Sequence, residues 1–245
     1  TVDARRDISN AQSGTEVTNR NAQRILEKIH KELKLPLKLF PYQEVGVTFI
    51  ELSKGKALLG DDMGLGKTAQ SLAWLAYHKE KRPVIVICPA SVKINWGREI
   101  DKWIPDSTFQ SIDSGKDEIE KGKDFYIINY DLLRKHEEGL LGIGASTVIL
   151  DESTYIKERK SQRTKATLKI AKNSPHVLAL SGTPILNKPM EFFNILNLLA
   201  PTVFKSQYKF GEQFCGMEHN GYGFSFSGAT NVELLNFLLK SIMIR

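Results

Sequence analysis

Ala57-Leu58-Leu59-Gly60-Asp61-Asp62-Met63-Gly64-Leu65-Gly66-Lys67-Thr68 is the stretch on which the fold turns. A short apolar run ends on glycine and acid, two closely spaced glycines follow, and a lysine and a threonine open a helical pattern that continues to Glu80. Gly64 and Gly66 let the backbone curl so that successive N–H groups face a polyphosphate. The positive end of the following helix adds attraction for the same anion. In that setting Asp62, Met63, Gly64, Leu65 and Gly66 form a cradle. Lys67 reaches toward the β- and γ-phosphates, and the Thr68 hydroxyl is a ligand for Mg2+. Asp61 departs from the strict pattern, which wants glycine there. Taken alone, the segment also fits a glycine-rich turn that merely caps a helix.

Outward from this loop the chain alternates. Short β-rich runs at 57–60, 84–88, 125–129, 147–150 and 177–180 are bounded by Gly, Pro, Asp or Ser. Helical patterns follow at 67–80, 92–103, 162–172 and 190–199. Strand alternating with helix predicts an α/β fold with a parallel sheet covered by helices on both faces. Residues 113–124 are charged and glycine-containing, and read as a surface excursion. Upstream, Ile25, Leu26, Ile29 and Leu33 predict a helix over 20–35, ended by Pro36, and a second helix starts at Pro41. Residues 1–19 are polar and without period, so 1–36 is expected to be a polar segment plus helix in front of a domain at 37–245.

The second chemical signal is Val148-Ile149-Leu150-Asp151-Glu152-Ser153-Thr154. An apolar strand delivers two carboxylates to its C-terminal tip, where open parallel sheets bind ligands. Asp151 is the candidate partner of Mg2+, and Glu152 the group that orients or deprotonates an attacking water. A solvated Asp-Glu pair opening a loop is the plain alternative. The order of the two motifs, phosphate loop first and acidic strand about eighty residues later in one alternating sheet, weighs against it. Lys67, Asp151 and Glu152 are therefore the candidate catalytic residues.

These motifs resemble those of superfamily 2 helicases, and the form Asp61-Asp62-Met63-Gly64-Leu65-Gly66-Lys67-Thr68 is similar to the Snf2 family. Leu39-Phe40-Pro41-Tyr42-Gln43-Glu44-Val45-Gly46 resembles that family's adenine-reading segment, where the Gln43 amide both donates and accepts. Cys88-Pro89-Ala90-Ser91 with Asn95-Trp96 and Glu99, Ile128-Asn129-Tyr130-Asp131-Leu132-Leu133, and Leu180-Ser181-Gly182-Thr183-Pro184-Ile185-Leu186-Asn187 match further segments in the same order. The tail, Phe224 to Asn231 and Ile242-Met243-Ile244-Arg245, resembles the annealing-helicase branch. The resemblance covers residues 37–245. It implies a RecA-like P-loop lobe that binds ATP with Mg2+ and contacts duplex DNA without sequence preference. It also implies a second RecA-like lobe, beginning where this chain stops, that completes the ATP site, so that hydrolysis by residues 37–245 alone is expected to be very slow. Ser181, Gly182 and Thr183 take the family's coupling role. The fourth position of the acidic motif is Thr154 where the family carries His or Gln, which puts that coupling route in doubt.

The same resemblance places Ser91, Lys93 and Asn95 near the phosphates of one strand. It also raises Lys157 and the pair Arg163 and Lys165 out of the basic run between Lys157 and Lys169. Phosphate contacts by such residues give salt-sensitive, sequence-independent binding; a solvated helix face is the alternative for any one of them. Trp96 and Trp103 read as packing residues, and Tyr130 reads either way. A net charge of +6 leans toward an anionic partner. No window nears the ~18 apolar residues of a membrane span, and the first residues do not read as a secretory signal. Two cysteines, Cys88 and Cys215, fit a reducing, intracellular setting, cytoplasmic in a prokaryote or virus and nuclear in a eukaryote. An RNA helicase of the same superfamily, a P-loop kinase or small-substrate ATPase, and a fold retained without catalysis remain open as alternatives.

Overall fold

The computed structural model describes residues 23–25, 27–28, 35–182, 188–219, 224–226 and 228–245. Seven strands form one sheet: β1 (Lys56–Leu59), β2 (Val84–Cys88), β3 (Phe109–Ile112), β4 (Phe125–Asn129), β5 (Thr147–Leu150), β6 (His176–Leu180) and β9 (Met243–Ile244). Their order is β3-β4-β2-β5-β6-β1-β9, and every pairing is parallel. A short antiparallel pair, β7 (Glu218–His219) and β8 (Phe224–Ser225), stands apart.

Alternation along each strand splits the core into two layers, as a sheet buried on both faces requires. Leu58, Ile85, Ile87, Val148, Leu150, Val177 and Ala179 point to one face. Ala57, Leu59, Val84, Val86, Cys88, Ile149, Leu178 and Leu180 point to the other. Helices α1 (Pro41–Leu52), α2 (Lys67–Tyr77) and α3 (Lys93–Trp103) cover the second face; α4 (Leu133–Gly142), α5 (Gln162–Lys172), α6 (Phe193–Leu199), α7 (Gln207–Phe214) and α8 (Val232–Leu239) cover the first. Helices α1 and α2 approach closely at Gly46, where a Cβ would stand 1.9 Å from Gln70 Oε1. That contact accounts for the glycine.

The α/β expectation stands, and the central strands and their helices lie where the pattern put them. Helix 67–80 ends at Tyr77 and is followed by a 3-10 turn. The pattern over 190–199 splits into a 3-10 turn and α6. Strands β3 and β9 and helices α4, α7 and α8 are additions to the sequence reading. Much of the helix expected over 20–35 lies outside the described residues; residues 23–25 and 27–28 are helical, and Ile25 packs on the core. Cys88 and Cys215 are both buried and free. Among the described residues no helix is long and apolar enough to cross a membrane.

Candidate active site

A parallel sheet brings all strand C-termini to one edge, so the phosphate loop after β1 and the acids after β5 open on the same side, with β6 between their strands. The loop turns at Gly64 (φ 84°) and Gly66 (φ 77°), in the left-handed region that favours glycine. Gly66 is tight as well, since a Cβ there would sit 2.3 Å from Gln43 Nε2. Helix α2 starts at Lys67 with no side-chain cap and no acidic residue in its first turn. Its N–H groups and positive end are thus left for an anion from outside.

Lys67 Nζ donates to the carbonyls of Asp61 (2.7 Å) and Asp62 (3.0 Å), which fold it back over the loop without neutralising its charge. Asp61, the departure from the glycine pattern, accepts from Gln70 Nε2 at 2.9 Å and ties the loop to α2. Its φ is not left-handed, so no glycine is required there. Gln43 is buried: Oε1 accepts from the Phe40 N–H (3.0 Å) and Nε2 donates to Leu65 O (3.3 Å). The amide expected to read adenine is therefore engaged in holding the loop in this structure.

At the acidic tip, Asp151 N–H donates to Ile87 O at 2.8 Å, continuing the sheet one residue past β5. The Asp151 carboxylate accepts from Trp96 Nε1 (2.8 Å) and from the Glu152 N–H (3.0 Å). Burial raises the Asp151 carboxyl above its ordinary value, against these bonds and the field of Lys67. Glu152 is also raised, by burial first and then by the charge of Asp151, with Lys67 again opposing. The Lys67 charge opposes both rises, and the loop and the tip lie on the same edge of the sheet. Glu152 has φ 48° and ψ 56°, a left-handed conformation unusual for a residue with a side chain. Tyr130 donates its hydroxyl to Asp151 O (2.8 Å) and is buried, which pushes its own pKa well up.

The segment after β6 closes the third side. Ser181 is buried and its N–H donates to Leu59 O (3.0 Å); a Cβ on Gly182 would stand 3.0 Å from Met63 Cγ. Thr183 lies outside the described residues. Thr154 is half-buried on the turn after Glu152. Among the described residues no cluster of three or more His, Cys, Asp or Glu side chains offers a metal cage. Magnesium does not ask for one: it is typically held by one or two protein oxygens together with phosphates and water. Thr68 and Asp151 fit that pattern.

Of the residues expected at nucleic acid, Ser91 is exposed on the 3-10 turn before α3, Asn95 is exposed in the first turn of α3, and Lys165 is exposed on α5. Lys157 pairs with Glu191 (3.6 Å), and Arg163 with Asp131 (3.7 Å), both at the surface. Lys93 departs from the expectation. It is 6% exposed, and its ammonium is taken by Ile112 O and by Asp113 at 2.5 Å. The loop after β3 claims it, and β3 was not legible in the sequence. Trp96, read as packing, is 1% exposed and also holds a catalytic candidate, Asp151. Its place in the Asn95-Trp96 segment was the available signal.

The comparisons with known proteins bear on the fold and the family. The chain is 34% identical over 220 residues to "SWI/SNF-related matrix-associated actin-dependent regulator of chromatin subfamily A-like protein 1" of Xenopus laevis, covering 88% of this chain and 23% of that protein. It is 32% identical over 224 residues to "DNA annealing helicase and endonuclease ZRANB3" of Bos taurus, covering 86% of this chain and 21% of that one. The chain thus spans under a quarter of these relatives. Among solved structures, the "Sulfolobus solfataricus SWI2/SNF2 ATPase core in complex with dsDNA" matches with TM-score 0.74 and 28% identity, over 86% of this chain and 45% of that one. The model of the SNF2-related domain matches residues 42–245, which include the loop, the acidic tip and the segment after β6, and the chain belongs to that family.

Proposed function

We propose that residues 37–245 are the ATP-binding lobe of a motor that moves on duplex DNA, with 1–36 as a polar segment plus helix in front of it. The observation that carries this reading is the shared sheet edge. A glycine bend with an uncapped helix behind it and a half-buried Asp-Glu tip open on one edge of the sheet, with the Lys67 charge opposing the rise of both carboxyls.

In this reading the N–H groups from Asp62 to Thr68 cradle the phosphates of ATP, and Lys67 leaves the carbonyls of Asp61 and Asp62 to meet them. Magnesium, held by Thr68 and Asp151, would neutralise charge on the phosphates. Glu152, with its raised pKa, orients the attacking water and takes its proton. A second lobe of the same protein supplies the remaining side of the site, and closure of the lobes drives movement. Ser91, Asn95, Lys157, Arg163 and Lys165 meet the DNA backbone, giving up only weak surface ion pairs to do so. The dsDNA in the related core favours duplex DNA over RNA.

The test uses the full-length protein with a fluorescent ATP analogue. Lys67→Ala is expected to abolish nucleotide binding while leaving the melting temperature intact. Unchanged affinity would remove the phosphate-loop assignment, and ATP turnover indifferent to duplex DNA in the parent would remove the motor.

A further inference from the structure

The turn after β5 links the acids to the basic helix α5 through two stacked rings. Tyr155 stacks on Tyr130, with ring centroids 5.0 Å apart and planes 16° apart. The Arg163 guanidinium covers the Tyr155 ring at 5.4 Å and is shared with Asp131. On the other side, the Tyr130 hydroxyl holds Asp151 O, and the Tyr155 N–H donates to Glu152 O at 3.0 Å. The two peptide units that flank Glu152 are therefore each held, one by the Tyr130 hydroxyl and the other by the Tyr155 backbone N–H. The residue in that grip, Glu152, is the one in the left-handed conformation. A side chain held in such a conformation returns to more ordinary angles when its supports loosen, so a small shift of the rings re-aims the carboxylate.

We infer that Tyr155 is a positioning residue that couples a DNA phosphate at Arg163 to the aim of Glu152. The inference rests on the motor reading. Arg163 is held in this structure by an exposed carboxylate and a ring face, and a DNA phosphate is a stronger partner than either for a guanidinium. When the phosphate takes it, the load on the Tyr155 ring changes, and the stacked Tyr130 ring, whose hydroxyl holds Asp151 O, feels that change. Tyr155 itself is 43% exposed, so truncating it leaves the core intact.

The experiment compares Tyr155→Ala and Tyr155→Phe with the parent in the full-length protein. The readouts are ATP turnover with and without saturating duplex DNA, DNA affinity, and the DNA-induced shift of the Trp96 indole N–H resonance, which reports on Asp151. Tyr155→Ala is expected to lose about tenfold in DNA stimulation, read as the ratio of turnover with and without DNA and within the usual range of coupling between sites, together with the Trp96 shift. Tyr155→Phe keeps ring and stacking, and is expected to behave as the parent. Undiminished stimulation in Tyr155→Ala overturns the inference alone. So does a loss that tracks weaker DNA binding and disappears at saturation, which would make Tyr155 a plain DNA contact. A parent that DNA does not stimulate overturns the motor reading and this inference with it.

Discussion

Trp74 and Trp96 each donate an indole N–H to a carboxylate, Trp74 to Glu51 at 2.9 Å and Trp96 to Asp151 at 2.8 Å, yet the two acids titrate in opposite directions. Glu51 also meets His78 Nε2 at 2.7 Å, and that bond, ahead of the Trp74 bond, draws it down to about 2 despite burial. Asp151 has no comparable cation in contact. Burial raises it, and its charge helps raise Glu152 beside it. An equal hydrogen bond decides neither case; the presence of a cation within the chain does. Glu51, on α1, is held by Trp74 and His78 and serves the fold. The acids after β5 have hydrogen-bond donors but no cation in contact among the described residues, and in the proposed reading magnesium would supply that charge.

The widest gap between the two places should open in turnover. Glu152→Gln keeps size and polarity and removes the proton acceptor. ATP hydrolysis is expected to fall by about 10²–10⁴-fold, the range of general-base removal, with nucleotide affinity retained. Glu51→Gln should leave turnover within a factor of about two, since a surface-helix carboxylate makes no contact that changes in the transition state. Steady-state rates of both variants in the full-length protein decide this. Equal losses would place the difference in the fold and not in the chemistry.

Stability should reverse the ranking. Glu51→Gln removes a half-exposed ion pair, and after allowance for solvent screening the loss is about 1 kcal/mol, or roughly 2–4 °C in melting temperature. Its pH dependence is specific. Glu51 is lowered on folding, so its contribution is full above its ordinary 4.5 and fades as the pH falls toward about 2. His78 is burdened by burial, but its bonds to Glu51 and Glu80 outweigh that and raise it. Its contribution is full below 6.5 and fades as the pH rises through the raised value. The deficit of Glu51→Gln against the parent should therefore peak between these limits and shrink on either side. Melting curves across pH test the shape; a deficit independent of pH would mean that the pair adds nothing as charges.

What the sequence made legible follows the same division. The central strands were readable because they are continuous apolar runs, and the glycine bend and the acidic tip were readable because each is local in the chain. Strand β3 has only Phe109 and Ile112 as apolar residues and lies at a half-covered edge, so periodicity gave it no signal. Strand β9 is two residues long and exists because β1 leaves an edge for it to pair with, at Leu58 with Met243 and Leu59 with Ile244. The burial of Lys93 depended on β3, and the bond from Trp96 to Asp151 joins residues far apart in the chain. Contacts of that kind are set by sheet order, which no local pattern encodes. Asp61, a departure in the sequence, turns out to be a tie between the loop and α2 through Gln70.

The finest test returns to Glu152, now in the protein without nucleotide. A carboxyl raised on folding binds its proton more tightly in the folded state, so at neutral pH its ionised form works against folding, and the effect eases as the pH falls through the raised value. Glu152→Gln removes that charge from beside Asp151. It leaves the bond from its own N–H to Asp151 and the strained backbone in place. The same substitution that removes turnover should then raise the melting temperature slightly, by a few tenths of a kcal/mol or about 1 °C, and the gain should vanish at acid pH, where the parent's Glu152 is protonated. Magnesium with ATP should erase the gain from the other side, by supplying the parent's acids with the cation they lack. A variant that melts below the parent at neutral pH would mean that the tip is already balanced by partners within the chain, and the contrast with Glu51 would lose its physical basis.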